Sequence, residues 1–154
     1  MGQTDMRLKE LNIALPDKNR KGQGVVAARE AGGLLYVSAQ LPLDEEGKPI
    51  MTGRVGTDLT KEEGYQAARQ CALNTLSVIK EYVGDLDRVH SFVKVLGLVN
   101  SGGDFSEQPF VMNGFSDLIV EIFGQRGVHA RAAMGAYNLP LNCPVTVDCI
   151  VKLR

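Results

Sequence analysis

The sequence predicts a single α+β domain in which two helices cover one face of a mixed sheet, in the order β-β-α-β-α-β-β. Three observations predict it. One long segment, residues 60–84, carries an uninterrupted helical stripe. Five short β-rich runs surround it without strict alternation with helices. At 154 residues, 44% hydrophobic and 23% charged, the chain can bury one core, and it contains no repeat or low-complexity tract that would divide it.

Residues 1–21 read as an N-terminal extension and residues 22–154 as the domain. In the extension, Leu8, Leu11 and Ile13 lie among charges, which predicts a short helix or turn over 7–16 ended by Pro16. Lys18, Arg20 and Lys21 form a solvated basic loop. Runs 25–29 and 34–39 flank Ala31, Gly32 and Gly33 and predict a hairpin. Residues 44–48 make an exposed turn.

Thr60 opens the long helix, where Thr60 and Glu63 can form a capping box. Tyr65, Ala68, Ala72, Leu76, Ile79 and Val83 recur at steps of three and four, and Gly84 stops the helix. In the run 89–99, Val93, Val95 and Val99 are expected on one face and Phe92, Leu96 and Leu98 on the other. A strand apolar on both faces must be covered on both. Helices take one side, and a second subunit is the simplest cover for the other.

Glycines 102 and 103 break that strand. Ser106 is expected to cap a second helix to about Phe123, burying Phe110, Gly114, Phe115, Leu118, Ile119 and Ile122. Runs 131–137 and 145–151 close the sheet.

Composition excludes several function classes. Seventeen basic residues against eighteen acidic ones leave a net charge of −1, which argues against a broad nucleic-acid surface. No apolar run approaches the ~20 residues that span a bilayer, and no signal core opens the chain. Cys71, Cys143 and Cys149 form no C-x-x-C pair, so reduced thiols in the cytoplasm are expected. Cys143 is expected to be the most accessible of the three. His90 and His129 lack zinc-motif spacing, and neither metal nor cofactor is expected. Residues 22–27 formally match G-x-G-x-x-A, but a polar loop precedes them and a β-rich run follows. A dinucleotide fingerprint needs a strand before it and a helix after it.

The most informative residue is Arg131. Its neighbours are Ala, Met and Gly, so no local carboxylate is available to pair with it. A buried guanidinium needs a partner. Either a structural ion pair or a ligand supplies one, and the residues alone leave both open. His129, two positions earlier, is expected to be an exposed loop histidine.

Residues 34–42, LLYVSAQLP, resemble the strand ending in Ser-Gly-Gln-x-Pro of the YjgF/Rid (reactive-intermediate deaminase) family. Ala130-Arg131, Leu139-Pro140 and the run 145–148 resemble its C-terminal signature, and Asn113 stands where the family carries an asparagine. The resemblance spans residues 22–154. The longer N-terminus and the Gly53-Arg54-Val55-Gly56 segment look like a divergent branch.

The resemblance implies a chorismate-mutase-like fold, a homotrimer, and small-carboxylate sites at subunit interfaces. It implies hydrolysis of 2-imino or 2-enamino acids to 2-keto acids and ammonia, with Arg131 holding the carboxylate and Ser38, Asn113 and Thr146 lining the cleft. Such a guanidinium can fix a carboxylate in two bonds. Two positions depart from the family. Val25 stands at its tyrosine and Thr146 at the glutamate credited with orienting water. Threonine cannot act as a carboxylate base, and Asp148, two residues on and on the same strand face, is the replacement to consider. A trimer that binds small carboxylates without turnover is the alternative. The ribonuclease activity for which the family was first named is disfavoured by the charge balance, the lack of paired histidines and the lack of aromatic stacking residues.

Overall fold

A computed structural model describes residues 2–17 and 24–154; the basic loop 18–21 and the start of the glycine motif, residues 22 and 23, lie outside the described residues. The helices are α1 (Gln3–Glu10), α2 (Lys61–Val83) and α3 (Gln108–Phe123). The strands are β1 (Ala28–Ala31), β2 (Leu34–Gln40), β3 (Val89–Asn100), β4 (Ala130–Ala136) and β5 (Val145–Leu153). They form one sheet in the order β1-β2-β5-β3-β4. Only the β3–β4 pair is parallel. Parallel neighbours need a crossover, and α3 provides it. The α+β class and the mixed sheet are therefore as expected.

The long helix begins where its capping chemistry predicts. The Thr60 hydroxyl accepts from the Glu63 N–H at 3.1 Å, and the Glu63 carboxylate accepts from the Thr60 N–H at 2.8 Å. Gly84, at φ 77°, ends it. Ala68, Ala72, Leu76, Ile79 and Val83 are buried as the stripe requires. The first hairpin is shifted. Val25 and Val26 are exposed and lead into β1, and the turn is Gly32-Gly33 alone. Their φ values of 58° and 76° are the positive pair that a tight two-residue hairpin turn demands.

Helix α3 starts at Gln108, so Ser106 is not its cap. Glu107 holds that position without a side-chain cap, and Pro109 in the first turn needs no N–H partner. Phe110 is partly exposed, while Val111 and Met112 join the buried stripe. Gly114 brings α3 against α2: a Cβ there would lie 1.9 Å from the Tyr65 carbonyl oxygen.

Helix α1 starts earlier than expected because Asp87 caps it. The Asp87 carboxylate accepts from the backbone N–H of Gln3 and of Thr4, and from the Thr4 hydroxyl. The helix ends at Glu10, well before Pro16, with Asn12 at φ 54° just beyond it. Leu8 is buried in the common core.

Strand β3 does not alternate as expected. Register shifts near its start put both Phe92 and Val95 against the helices and leave Val93 exposed. Leu35 and Val37 of β2 and Val145, Val147, Cys149 and Val151 of β5 complete the sheet's contribution to the core. On the opposite face, Leu96, Leu98 and Ile150 remain half-buried, and Met134 and Tyr36 are exposed. All three cysteines are buried, Cys143 included, which corrects the expectation that it is accessible. No helix among the described residues is long and apolar enough to cross a membrane.

Candidate functional site

Arg131 lies on β4 at the sheet edge, level with Val95 of β3. Its side chain turns towards α3. Nη1 donates to the Asn113 side-chain oxygen at 3.0 Å and to the Ser116 hydroxyl oxygen at 3.0 Å, and Nη2 donates to the Pro109 carbonyl at 3.2 Å. Positions 109, 113 and 116 are related by steps of four and three, so all three acceptors share one helix face. All three are neutral. Among the described residues no aspartate or glutamate forms an ion pair with Arg131.

A guanidinium has five N–H donors. Three are committed here, which leaves the Nε–H and one Nη2–H. These two nitrogens form one edge of the guanidinium plane, the edge that can take a carboxylate in two parallel bonds. The positive charge is thus held in position without being neutralised.

Behind it stands His129, half-buried and not the exposed loop residue expected. Its Nδ1 is 2.6 Å from the Gly127 carbonyl, and its Nε2 is 2.9 Å from the Ser116 hydroxyl. A carbonyl can only accept, so Nδ1 carries the proton and Nε2 is left to accept from Ser116. The Ser116 oxygen then turns a lone pair to Arg131. Burial pulls the His129 pKa below its ordinary 6.5; the Gly127 hydrogen bond opposes that pull, and the Arg131 charge adds to it.

The other expected site residues lie elsewhere in the chain. The Ser38 hydroxyl donates to the Val26 carbonyl at 2.7 Å, on β2, which β5 and β3 separate from β4. The Thr146 hydroxyl donates to the Gln40 carbonyl at 3.3 Å. Thr146 and Asp148 alternate with buried Val145, Val147 and Cys149, so both lie on the sheet face away from the helices, opposite Arg131. Asp148 has no hydrogen-bond or ion-pair partner among the described residues, and burial pushes its carboxyl pKa up from 3.8. Val25 is 68% exposed, ahead of β1. One chain therefore assembles Arg131 with Asn113 and leaves Ser38, Thr146 and Asp148 apart from them. Sequence reasoning missed Ser116, His129 and the Pro109 carbonyl, although the spacing from Asn113 to Ser116 was the available signal.

Comparisons agree with this architecture. A family described as "YjgF/chorismate mutase-like, putative endoribonuclease" matches residues 6–153. Protein TCP17 of Trypanosoma cruzi is 43% identical over 154 residues, covering 99% of this chain and 96% of that one. The structure of Atu1372 from Agrobacterium tumefaciens, a protein of unknown function, is similar at a TM-score of 0.89 with 41% identity, covering 98% of this chain and 94% of the other. A Shewanella oneidensis structure, described as "a putative endoribonuclease", gives a TM-score of 0.92 at 30% identity, covering 99% and 100%.

Proposed function

The chain belongs to the YjgF/chorismate-mutase-like family, and from that premise we propose that it hydrolyses small 2-imino acids to 2-keto acids and ammonia in a homotrimer. The observation that carries this reading is Arg131: a positioned guanidinium with neutral partners and with its Nε–H and one Nη2–H uncommitted. A 2-imino acid presents its carboxylate one bond from the reacting carbon, so gripping the carboxylate places that carbon. Water adds to the C=N bond, its electron pair passes to nitrogen, and the resulting carbinolamine expels ammonia as the C=O forms. The iminium is already electrophilic, so no covalent nucleophile is needed.

Thr146 supplies no base, and Asp148 faces away from Arg131 within one chain. A neighbouring copy could present its open sheet face to the Arg131 edge, and the half-buried row of Leu96, Leu98 and Ile150 is an apolar surface suited to such a contact. In that arrangement Asp148 of one copy serves the Arg131 of another. Its raised pKa suits proton transfer better than an ordinary aspartate.

The same placement of Thr146 and Asp148 favours a second reading, a trimer that binds small carboxylates without turnover. The endoribonuclease names belong to the family description and the Shewanella protein. The net charge of −1 argues against a broad surface for RNA phosphates.

The test generates 2-iminobutanoate with an amino-acid oxidase and follows its decay. Catalysis requires faster decay with the wild-type protein than with Arg131→Ala. Equal decay removes the enzymatic reading, and calorimetric binding of 2-oxobutanoate without faster decay selects the second one.

A further inference from the structure

A second arginine stands at the far end of β4. Tyr137 lies six positions after Arg131, about 20 Å along an extended strand. Just past the strand end, the Arg54 guanidinium carbon lies 4.3 Å over the Tyr137 ring, and its Nη2 donates to the Tyr137 carbonyl.

The turn that carries Arg54 is firmly built. The backbone N–H groups of Thr57, Asp58 and Leu59 all approach the Arg54 carbonyl, at 3.3, 2.8 and 3.0 Å. The Asp58 carboxylate accepts from the Arg54 backbone N–H at 2.8 Å, and Val55, fully buried, ties the turn to Asn100 at 2.8 Å. Gly53 and Gly56 have φ of 125° and 91°, conformations that side-chain-bearing residues rarely adopt.

Facing this turn is the loop 101–105. A Cβ on Gly102 would come within 2.8 Å of Arg54 Nη1, and one on Gly56 within 2.8 Å of the Phe105 ring. Between the two loops lies a cavity of about 560 Å³ lined by Arg54, Thr57, Gly103, Asp104 and Phe105 among others. That is large enough for a small ligand.

The charges in this cavity are of opposite sign and unjoined. Arg54 and Asp104 both line it, yet they form no ion pair, and neither has another ionic partner among the described residues. Asp58, the other nearby carboxylate, is turned to the backbone. Arg54 keeps four of its five N–H donors uncommitted among the described residues. A simple anion would be repelled by Asp104 and a simple amine by Arg54. A ligand with both charges a short distance apart satisfies both walls at once.

We propose that the cavity between the 53–59 turn and the 101–105 loop binds the zwitterion of a free α-amino acid, with its carboxylate on Arg54 and its ammonium on Asp104. Phe105 then faces the side chain of the bound molecule. This site is separate from Arg131 and does not depend on the reading given to that residue.

The test is an NMR titration of the full chain with L-alanine, L-leucine and L-phenylalanine, with propionate and propylamine as single-charge controls. At least one amino acid is expected to shift the amides of Thr57, Gly102 and Gly103 saturably, while neither control does. Arg54→Gln and Asp104→Asn are each expected to weaken that binding at least tenfold with unchanged folding, and Arg131→Ala to leave it intact. The proposal is overturned if none of the three amino acids shifts these amides, if propionate or propylamine shifts them as well, or if binding survives both cavity substitutions.

Discussion

Asn113 holds the Arg131 guanidinium with an amide oxygen at 3.0 Å, at a position where an aspartate would neutralise it. The amide orients the cation without neutralising it.

The first prediction concerns that amide. Asn113→Asp would give Arg131 an internal carboxylate and fold normally. Its titration with 2-oxobutanoate, read by calorimetry, is expected to show affinity at least tenfold weaker than wild type, about 1.4 kcal/mol. Unchanged affinity would mean that Arg131 does not hold the ligand's acid group.

His129 gives the site a pH dependence whose sign is fixed. Burial has lowered its folded-state pKa below the unfolded 6.5, so between the two values the unfolded chain binds more protons. The stability tied to neutral His129 is therefore fully present above pH 6.5 and lost as pH falls through the lower value. Melting temperatures of wild type and His129→Gln, measured from pH 8 to 5, should run parallel above about pH 7. Below 6.5 the wild type should fall away.

Ligand binding should move the same group the other way. A carboxylate on Arg131 offsets the charge that helps keep His129 neutral, so binding takes up protons on the acid side of neutrality. The affinity for 2-oxobutanoate should strengthen as pH drops from 7 towards 5, and His129→Gln should flatten the trend. Calorimetry in buffers of different ionisation enthalpy reads the proton uptake directly.

The open sheet face is where assembly can be broken without touching the core. Leu98 sits there between Met134 and Thr146. Leu98→Glu should leave the far-ultraviolet circular dichroism unchanged, and where light scattering gives the wild type the mass of the proposed trimer, the variant should run as a monomer. A wild-type chain that is already monomeric would remove the shared-site arrangement.

Gly114 tests how the two long helices meet. Alanine is the better helix former, yet its Cβ would lie 1.9 Å from the Tyr65 carbonyl, which is backbone and cannot swing aside. Gly114→Ala should cost roughly 3 kcal/mol in urea unfolding.

Local signals carried much of the fold. Thr60, Glu63 and Gly84 mark the ends of α2 because capping is local chemistry, and the glycine pair 32–33 marks the first hairpin for the same reason. The misplaced features depend on distant partners. Helix α1 begins where it does because Asp87, more than eighty positions away, caps it. The face assignment of Val93 failed because β3 carries irregularities that the apolar pattern does not reveal. In the candidate site, the family pattern pointed to Arg131 and Asn113, but Ser116, which bonds Arg131, and His129, which bonds Ser116, emerge only once α3 lies against β4. Cys143, between Asn142 and Pro144, looked accessible, but it is buried.

The central claim is that the Nε–Nη2 edge of Arg131 receives the carboxylate of a small 2-oxo or 2-imino acid. A crystal structure of the protein soaked with 2-oxobutanoate measures this most directly. The account predicts both carboxylate oxygens within hydrogen-bond distance of Arg131 Nε and Nη2, with the Asn113 and Ser116 contacts kept. A keto acid bound away from Arg131, or an Arg131 that swings onto a carboxylate of a neighbouring copy, would contradict it.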